Sequence, residues 1–305
     1  MRDPDTISAI EAVYRIESSR LIAGLARYVR DVGLAEELAQ DALVAALEQW
    51  PAGMPDNPGA WLMATAKRRA VDLFRRSSTL ARKHEELGRD LEARQDAGDE
   101  ELDAALDEDV EDDLLRLMFV SCHPVLSTDA RVALTLRLLG GLSTSEIASA
   151  YLVPESTVAQ RIVRAKKTLA EAKVPFEVPQ GAELAERLSS VLEVVYLVFN
   201  EGYSATAGDD WMRPALAEDA LRLGRILAEL APTEPEVHGL VALMEIQASR
   251  SRARTGPGGE PVLLLEQNRA RWDRILIRRG LAALERADRL GGTAGPYVLP
   301  AAIAP

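Results

Sequence analysis

Apolar residues recur at helical spacing through nearly every segment of this 305-residue chain. No stretch alternates with the period of two that a half-buried strand needs. Ile10, Val13, Tyr14, Leu21, Leu25, Tyr28 and Val32 mark one helix, and a second is predicted from about Leu34 to Trp50. PAGMPDNPG follows, with three prolines and two glycines in nine residues, a strong break. A third helix runs from near Ala60 to about Arg76. Residues 1–80 therefore read as a compact helical domain, and residues 114–174 as a second helical unit. Beyond the Pro175–Pro179 break, residues 180–305 form a helical extension. It begins near Glu183 and continues in helices expected at 214–230, 234–250 and 269–290, with a loop at RTGPGGEP, residues 254–261. The expected fold is all-α.

Net charge is misleading until it is located. The chain carries 48 acids and 36 Lys or Arg, a net of -12. From Lys83 to Asp113, fifteen acids face three basic residues, so this one segment holds the whole excess. Ala64–Lys83 has seven basic residues and one acid; Glu155–Lys173 has five and two. Two basic patches thus flank one acidic stretch, and the overall acidity does not argue against a nucleic-acid partner. Residues 81–113 read as an acidic linker, with a thin apolar rhythm at Leu87, Leu91, Leu102 and Leu106 that also suits a frayed helix.

Composition narrows the rest. A hydrophobic content of 47% is enough for real cores. A single cysteine, Cys122, excludes an internal disulfide framework and a multi-cysteine zinc site and fits a reducing compartment. No apolar run approaches the roughly 20 residues that span a bilayer, and the N-terminus has no signal-peptide stretch. A cytoplasmic protein without membrane contact is expected. His84, His123 and His238 lack metal-ligand spacing, Cys122-His123 has no third partner for nucleophilic chemistry, and no phosphate loop or dinucleotide fingerprint occurs. No cofactor, metal or enzymatic activity is expected.

The clearest constellation is LSTSEIASAYLVPESTVAQRIVRAKKTLAE at 142–171. Ser143 and Glu146 make a capping box, a helix follows to about Tyr151, and Leu152-Val153-Pro154 makes a short turn. On the next helix Thr157, Gln160, Arg161, Arg164, Lys167 and Thr168 share one face, and Val158, Ile162, Ala165 and Leu169 the opposite one. That is helix-turn-helix logic: the apolar side packs, and the other offers Gln and Arg to base edges and Lys to phosphates. The plainer alternative is a basic amphipathic helix. A second constellation is AWLMATAKRRAVDLFRR at 60–76. There Trp61, Thr65, Arg68, Arg69, Asp72, Arg75 and Arg76 share a broad face opposite Leu62, Met63, Ala66, Ala70, Leu73 and Phe74. Arginines neutralise phosphates and an aromatic can stack on an unpaired base; a solvated basic face is the alternative.

The order of these parts resembles a bacterial extracytoplasmic-function sigma factor. AEELAQDALVAALEQW at 35–50 is similar to the polymerase-binding helix of sigma region two. NPGAWLMATAKRRAVDLFRR at 57–76 is similar to the helix that engages the minus-ten element, and residues 126–169 resemble region four, which reads the minus-thirty-five element. The resemblance implies that Glu36, Glu37, Gln40 and Asp41 dock on the β′ coiled coil of core RNA polymerase, with the β flap as a further contact. It implies that the loop Pro51–Pro58 captures a flipped base. It implies that Trp61, Thr65, Arg68, Arg69, Asp72, Arg75 and Arg76, with Thr157, Gln160, Arg161, Arg164 and Lys167, meet promoter DNA.

The extension resembles that of a subgroup continuing into tetratricopeptide-like repeats, through NEGYSA at 200–205 and LLEQNRARWDR at 264–274. The resemblance implies regulation in cis, with contact between the extension and the sigma domains. Read plainly, Gly202 is a left-handed helix cap, and Trp272 and Asp273 are packing and capping residues. Two other classes compete: a regulator that binds duplex DNA without polymerase, and a protein-binding helical scaffold. No receiver or ligand-binding sheet supports the first.

Overall fold

The computed structural model describes residues 4–82, 110–205, 212–256, 258, 260–292 and 295–304. Most of the acidic segment, with Leu87, Leu91, Leu102, Leu106 and His84, lies outside them. The regular secondary structure of the described residues is all helical, with no strand and one isolated bridge pair, Thr255 with Pro261. Two compact units emerge.

The first unit comprises Met1–Ser121, Leu134–Ser143 and Ile162–Pro179. Helix α1 (Pro4–Val29) and helix α2 (Val32–Gln49) are joined by Arg30 and Asp31 alone. Arg30 takes φ 55, the left-handed conformation that ends a helix abruptly, and the Asp31 carboxylate accepts from Leu34 N at 2.9 Å to start the next. So short a turn makes the helices antiparallel neighbours. Ala35, Ala39, Ala42, Ala45 and Ala46 are buried along α2, and small side chains let two backbones approach closely. They pack on a stripe of α1 that includes Leu21, Ile22 and Leu25. Helix α3 (Pro58–Arg82) starts with Pro58 in its first turn and Asn57 Oδ1 accepting from Ala60 N at 3.1 Å. Aromatic edges fasten it: Trp61 meets buried Trp50, ring centroids 5.3 Å apart, and Phe74 meets Tyr28 at 5.9 Å. Helix α4 (Val110–Ser121) adds Leu117, Met118 and Phe119 to the same core.

Helices α5 (Thr128–Leu138) and α7 (Glu155–Glu171) contribute their C-terminal parts to this unit and their N-terminal parts to the second. The second unit, Cys122–Ala133, Thr144–Arg161 and Gln180–Pro305, also holds α6 (Thr144–Tyr151), α8 (Ala182–Tyr203), α9 (Pro214–Leu230), α10 (Pro235–Ala248), α11 (Arg274–Arg289) and α12 (Val298–Ile303). Val237 through Ile246 of α10 are buried without a break, with His238 bonded to Pro232 O and Glu245 to Arg225, and a helix buried all round belongs in the middle of a bundle. Its neighbours are α8, α9, α11 and α12. Asp273 caps α11, accepting from Ile275 N at 2.9 Å and Leu276 N at 3.2 Å. Arg250 and Arg269 lie over the Trp272 ring.

Gly202 is not the left-handed cap its sequence context suggests. It lies inside α8, outside the residues of positive φ, and a Cβ there would stand 2.3 Å from Ala217 N. The glycine is needed because α9 crosses α8 at backbone contact. We expect Gly202→Ala to destabilise the chain by about 1–3 kcal/mol in urea titration, since the helices must part. Ser189→Ala, on the exposed side of the same helix, should stay within about 0.5 kcal/mol of the parent.

Candidate nucleic-acid interface

The helix-turn-helix forms as its sequence dictates. Helix α6 begins one residue after Ser143, and Ile147 and Ala148 are buried. The turn is tight: Val153 N donates to Ala148 O at 3.1 Å, and Pro154 O accepts from Thr157 N at 2.9 Å. Val158, Ile162, Ala165 and Leu169 of α7 are all buried, as its amphipathic pattern requires. Gln160, Arg164 and Lys167 are exposed, and Thr157 and Arg161 are half-buried. Arg161 Nη2 lies 2.9 Å from Asp129 Oδ2 of α5, and Lys167 Nζ lies 3.6 Å from Glu171 Oε1. A pocket of about 190 Å³ beside Arg161 is lined by Asp129, Tyr151, Leu197 and Glu201. Burial pushes the Tyr151 hydroxyl well above its usual range, and the Glu201 charge adds to that.

On α3 the exposed side is narrower than the helical wheel suggests. Leu62, Ala66 and Ala70 are buried at four-residue spacing, and Thr65 joins them, accepting from Arg68 Nη2 at 3.3 Å. Leu73, expected on the packed side, is 41% exposed. Trp61 is half-buried because its ring packs on Trp50. Arg68, Asp72 and Arg75 are exposed, and Arg69 Nη1 lies 3.0 Å from Asp41 Oδ2 on α2. The Arg76 side chain lies outside what the structure describes.

The four expected docking residues of α2 part company. Glu37 and Asp41 are exposed and Gln40 is half-buried, but Glu36 is 3% exposed. Its carboxylate accepts from Gln40 Nε2 at 2.7 Å and Arg137 Nε at 2.6 Å, and it pairs with Lys166 Nζ. Arg137 also donates to Leu142 O at 3.2 Å. Tyr14 sits close by, its hydroxyl raised to about 12 by burial, with Arg137 opposing the shift and Glu36 adding to it. Arg137 and Lys166 escaped the sequence reading because neither stands out within its own helix.

Further along, Arg131 Nη1 donates to Ser190 Oγ at 2.5 Å and Glu193 Oε2 at 3.0 Å on α8, and Ser190 Oγ donates to Cys122 O at 2.6 Å. No group of three or more His, Cys, Asp or Glu among the described residues is placed to hold a metal ion, and none of their helices is long and apolar enough to cross a membrane.

These helical domains are of the sigma-70 kind. Residues 13–79 match sigma-70 region 2 and residues 116–169 match sigma-70 region 4; residues 187–288 match DUF6596, a family of unknown function. The chain thus carries both sigma-70 domains, and no enzymatic family is indicated. It is 44% identical over 285 residues to "Uncharacterized protein R00370" of Rhizobium meliloti, covering 93% of this chain and 66% of that protein. It is 27% identical over 169 residues to "Probable ECF RNA polymerase sigma factor SigI" of Mycobacterium tuberculosis, 55% of this chain and 57% of that one. It is 29% identical over 161 residues to "ECF RNA polymerase sigma factor SigK" of Mycobacterium ulcerans, 50% of this chain and 80% of that one. The chain spans less than two thirds of the length of the first two. No solved structure matches it.

The turn between α6 and α7 offers a direct check. Leu152 holds φ 49 with its side chain 54% exposed, so it carries backbone strain and little burial. A β-branched residue tolerates that conformation worst and glycine best. Leu152→Val should lower stability by about 1 kcal/mol or more, whereas Leu152→Gly should be neutral or stabilising, as read by thermal melting.

Proposed function

We propose that this chain is an extracytoplasmic-function sigma factor: a cytoplasmic subunit that binds core RNA polymerase, recognises and opens promoters, and starts transcription. In this reading residues 1–80 act as region two, 81–113 as a linker, 114–174 as region four and 180–305 as a regulatory extension. The observation that carries it is the pairing, in one chain and in family order, of the region 2 and region 4 matches with a helix-turn-helix whose outer face presents Gln160, Arg164 and Lys167. Arg161, at the edge of that face, reaches DNA by exchanging Asp129 for a base edge or phosphate. On α3, Arg68, Asp72 and Arg75, joined by Arg69, Arg76, Trp61 and Thr65, follow the opened strand. Glu37 and Asp41 offer polymerase an exposed acidic edge with half-buried Gln40 beside it, and Glu36 joins that edge only when its ion pairs are released. The protein does no covalent chemistry; the polymerase does.

The test is in vitro transcription with core enzyme and genomic promoters. Arg164→Ala and Arg161→Ala should each weaken promoter binding about tenfold, the loss of one bidentate base contact, while leaving core binding intact. Unchanged affinity in both variants would sink the assignment of α7.

Regulation in cis is the finer part of the reading. It is supported by the bonds of Arg131 to Ser190 and Glu193 and of Ser190 to Cys122 O, which join α8 to the start of the region-four stretch. Replacing Ser190 and Glu193 together by Ala removes the acceptors that α8 offers Arg131 and the bond to Cys122 O, and leaves Arg131 its bond to Thr128 Oγ1 at 3.0 Å within α5. We expect promoter-dependent output to change while the helical content of the chain does not. Output equal to the parent at low and at physiological salt would show that these contacts carry no regulation.

A further inference from the structure

We propose that Glu36 is an intramolecular latch. In the conformation seen here it fastens the polymerase-docking helix to the region-four stretch, and polymerase can use it only after the latch opens. The inference rests on the sigma-factor reading above and adds a closed state to it.

All the participating groups belong to the first compact unit. Glu36 lies near the start of α2, one residue before exposed Glu37 and five before exposed Asp41. Its two cationic partners come from the distant region-four stretch: Arg137 from the last turn of α5, and Lys166 from α7 itself. Arg137 is held from behind by Leu142 O, in the segment that leads into the helix-turn-helix. The stem of Lys166 lies along the first turn of α2, where a Cβ at Gly33 would stand 3.8 Å from Lys166 Cβ.

Burial makes the two tasks of Glu36 exclusive. A carboxylate that is 3% exposed and occupied by Arg137, Lys166 and Gln40 cannot also meet a basic or polar patch on polymerase. Docking through it requires that α2 first let go of α5 and α7. Buried ion pairs add little net stability, because desolvation offsets most of the Coulombic gain. They are strict about geometry, which suits a contact made in one state and absent in another. A state closed most of the time lowers apparent polymerase affinity by the fraction open, and any binding that frees Glu36 shifts the population. By linkage, core enzyme should also free Lys166 and the side of α7 that carries it.

The 3.8 Å Cβ separation between positions 33 and 166 falls in the range a disulfide spans. The experiment is therefore the full chain carrying Gly33→Cys and Lys166→Cys, assayed for core-enzyme binding when oxidised and when reduced. We expect the bond to form in the free protein, the oxidised form to lose core binding, and reduction to restore it. In parallel, Arg137→Met, which removes a cation from outside the docking surface, should raise core affinity about fivefold or more, the scale of a modest allosteric coupling. Four results count against the proposal. If the disulfide does not form, the closed contact does not persist in solution. If oxidised and reduced forms bind core equally, the contact does not gate docking. An unchanged affinity in Arg137→Met, with circular dichroism like the parent's, points to mere packing. If neither the reduced variant nor the parent chain binds core at all, the sigma-factor reading itself is wrong, and the latch falls with it.

Discussion

A carboxylate taken out of water must be met by cations or donors, and Glu36 is met by three: Arg137, Lys166 and the amide of Gln40. Much of the first unit is arranged around that requirement. Helix α2 can bury this residue because its neighbours on the packed side are alanines and Leu38, which leave room for long side chains to reach in. The two-residue turn at Arg30 and Asp31 fixes where α2 starts, and hence which way position 36 points. The C-terminal turn of α5 supplies an arginine that is also anchored to Leu142 O through Nη1. Removing one member would strand a charge in an apolar setting, which costs far more than the net worth of the whole cluster.

The helices are legible in the sequence because periodicity and punctuation agree. The predicted starts near Leu34, Ala60 and Glu183 lie within two residues of the observed Val32, Pro58 and Ala182. The amphipathic division of α7 is legible for the same reason: four apolar side chains at helical spacing have one place to go. What the sequence hides is partnership across distance. Glu36, Glu37, Gln40 and Asp41 read as one acidic patch, yet adjacent positions on a helix point about 100° apart, so burying 36 and half-burying 40 leaves 37 and 41 outside. Nothing local says that Arg137, 101 residues on, faces Glu36. Thr65 misleads likewise: a hydroxyl beside arginines suggests an open face, but the residue is small enough to pack beside Leu62 and Ala66 and takes its hydrogen bond from Arg68.

Glycine shows the same limit in the extension. NEGY looks like the end of a helix because glycine so often ends one, and the helix does end one residue later, at Tyr203. The residue's reason for being glycine is nevertheless on a different element, the backbone of Ala217. Helix α10 is the opposite case. Its run Val237–Ile246, apolar but for His238 and Glu245, says only that it is buried, and the identity of its four neighbours has to come from the structure.

Helix α7 brings these constraints together. Val158, Ile162, Ala165 and Leu169 define its buried direction. The two side chains that border that direction are both ion-paired: Arg161 on one flank to Asp129, and Lys166 on the other to Glu36. Between the flanks lies the outer arc of Gln160, Arg164 and Lys167, exposed to solvent. Two paired flanks fix the roll of a helix about its own axis more firmly than an apolar stripe does, since apolar contact is non-directional and an ion pair is not. In the proposed role, presenting particular side chains to base edges, roll is the quantity that matters. The same pairing commits Lys166 to α2, so the device that sets the roll of α7 also ties it to the helix proposed to dock on polymerase.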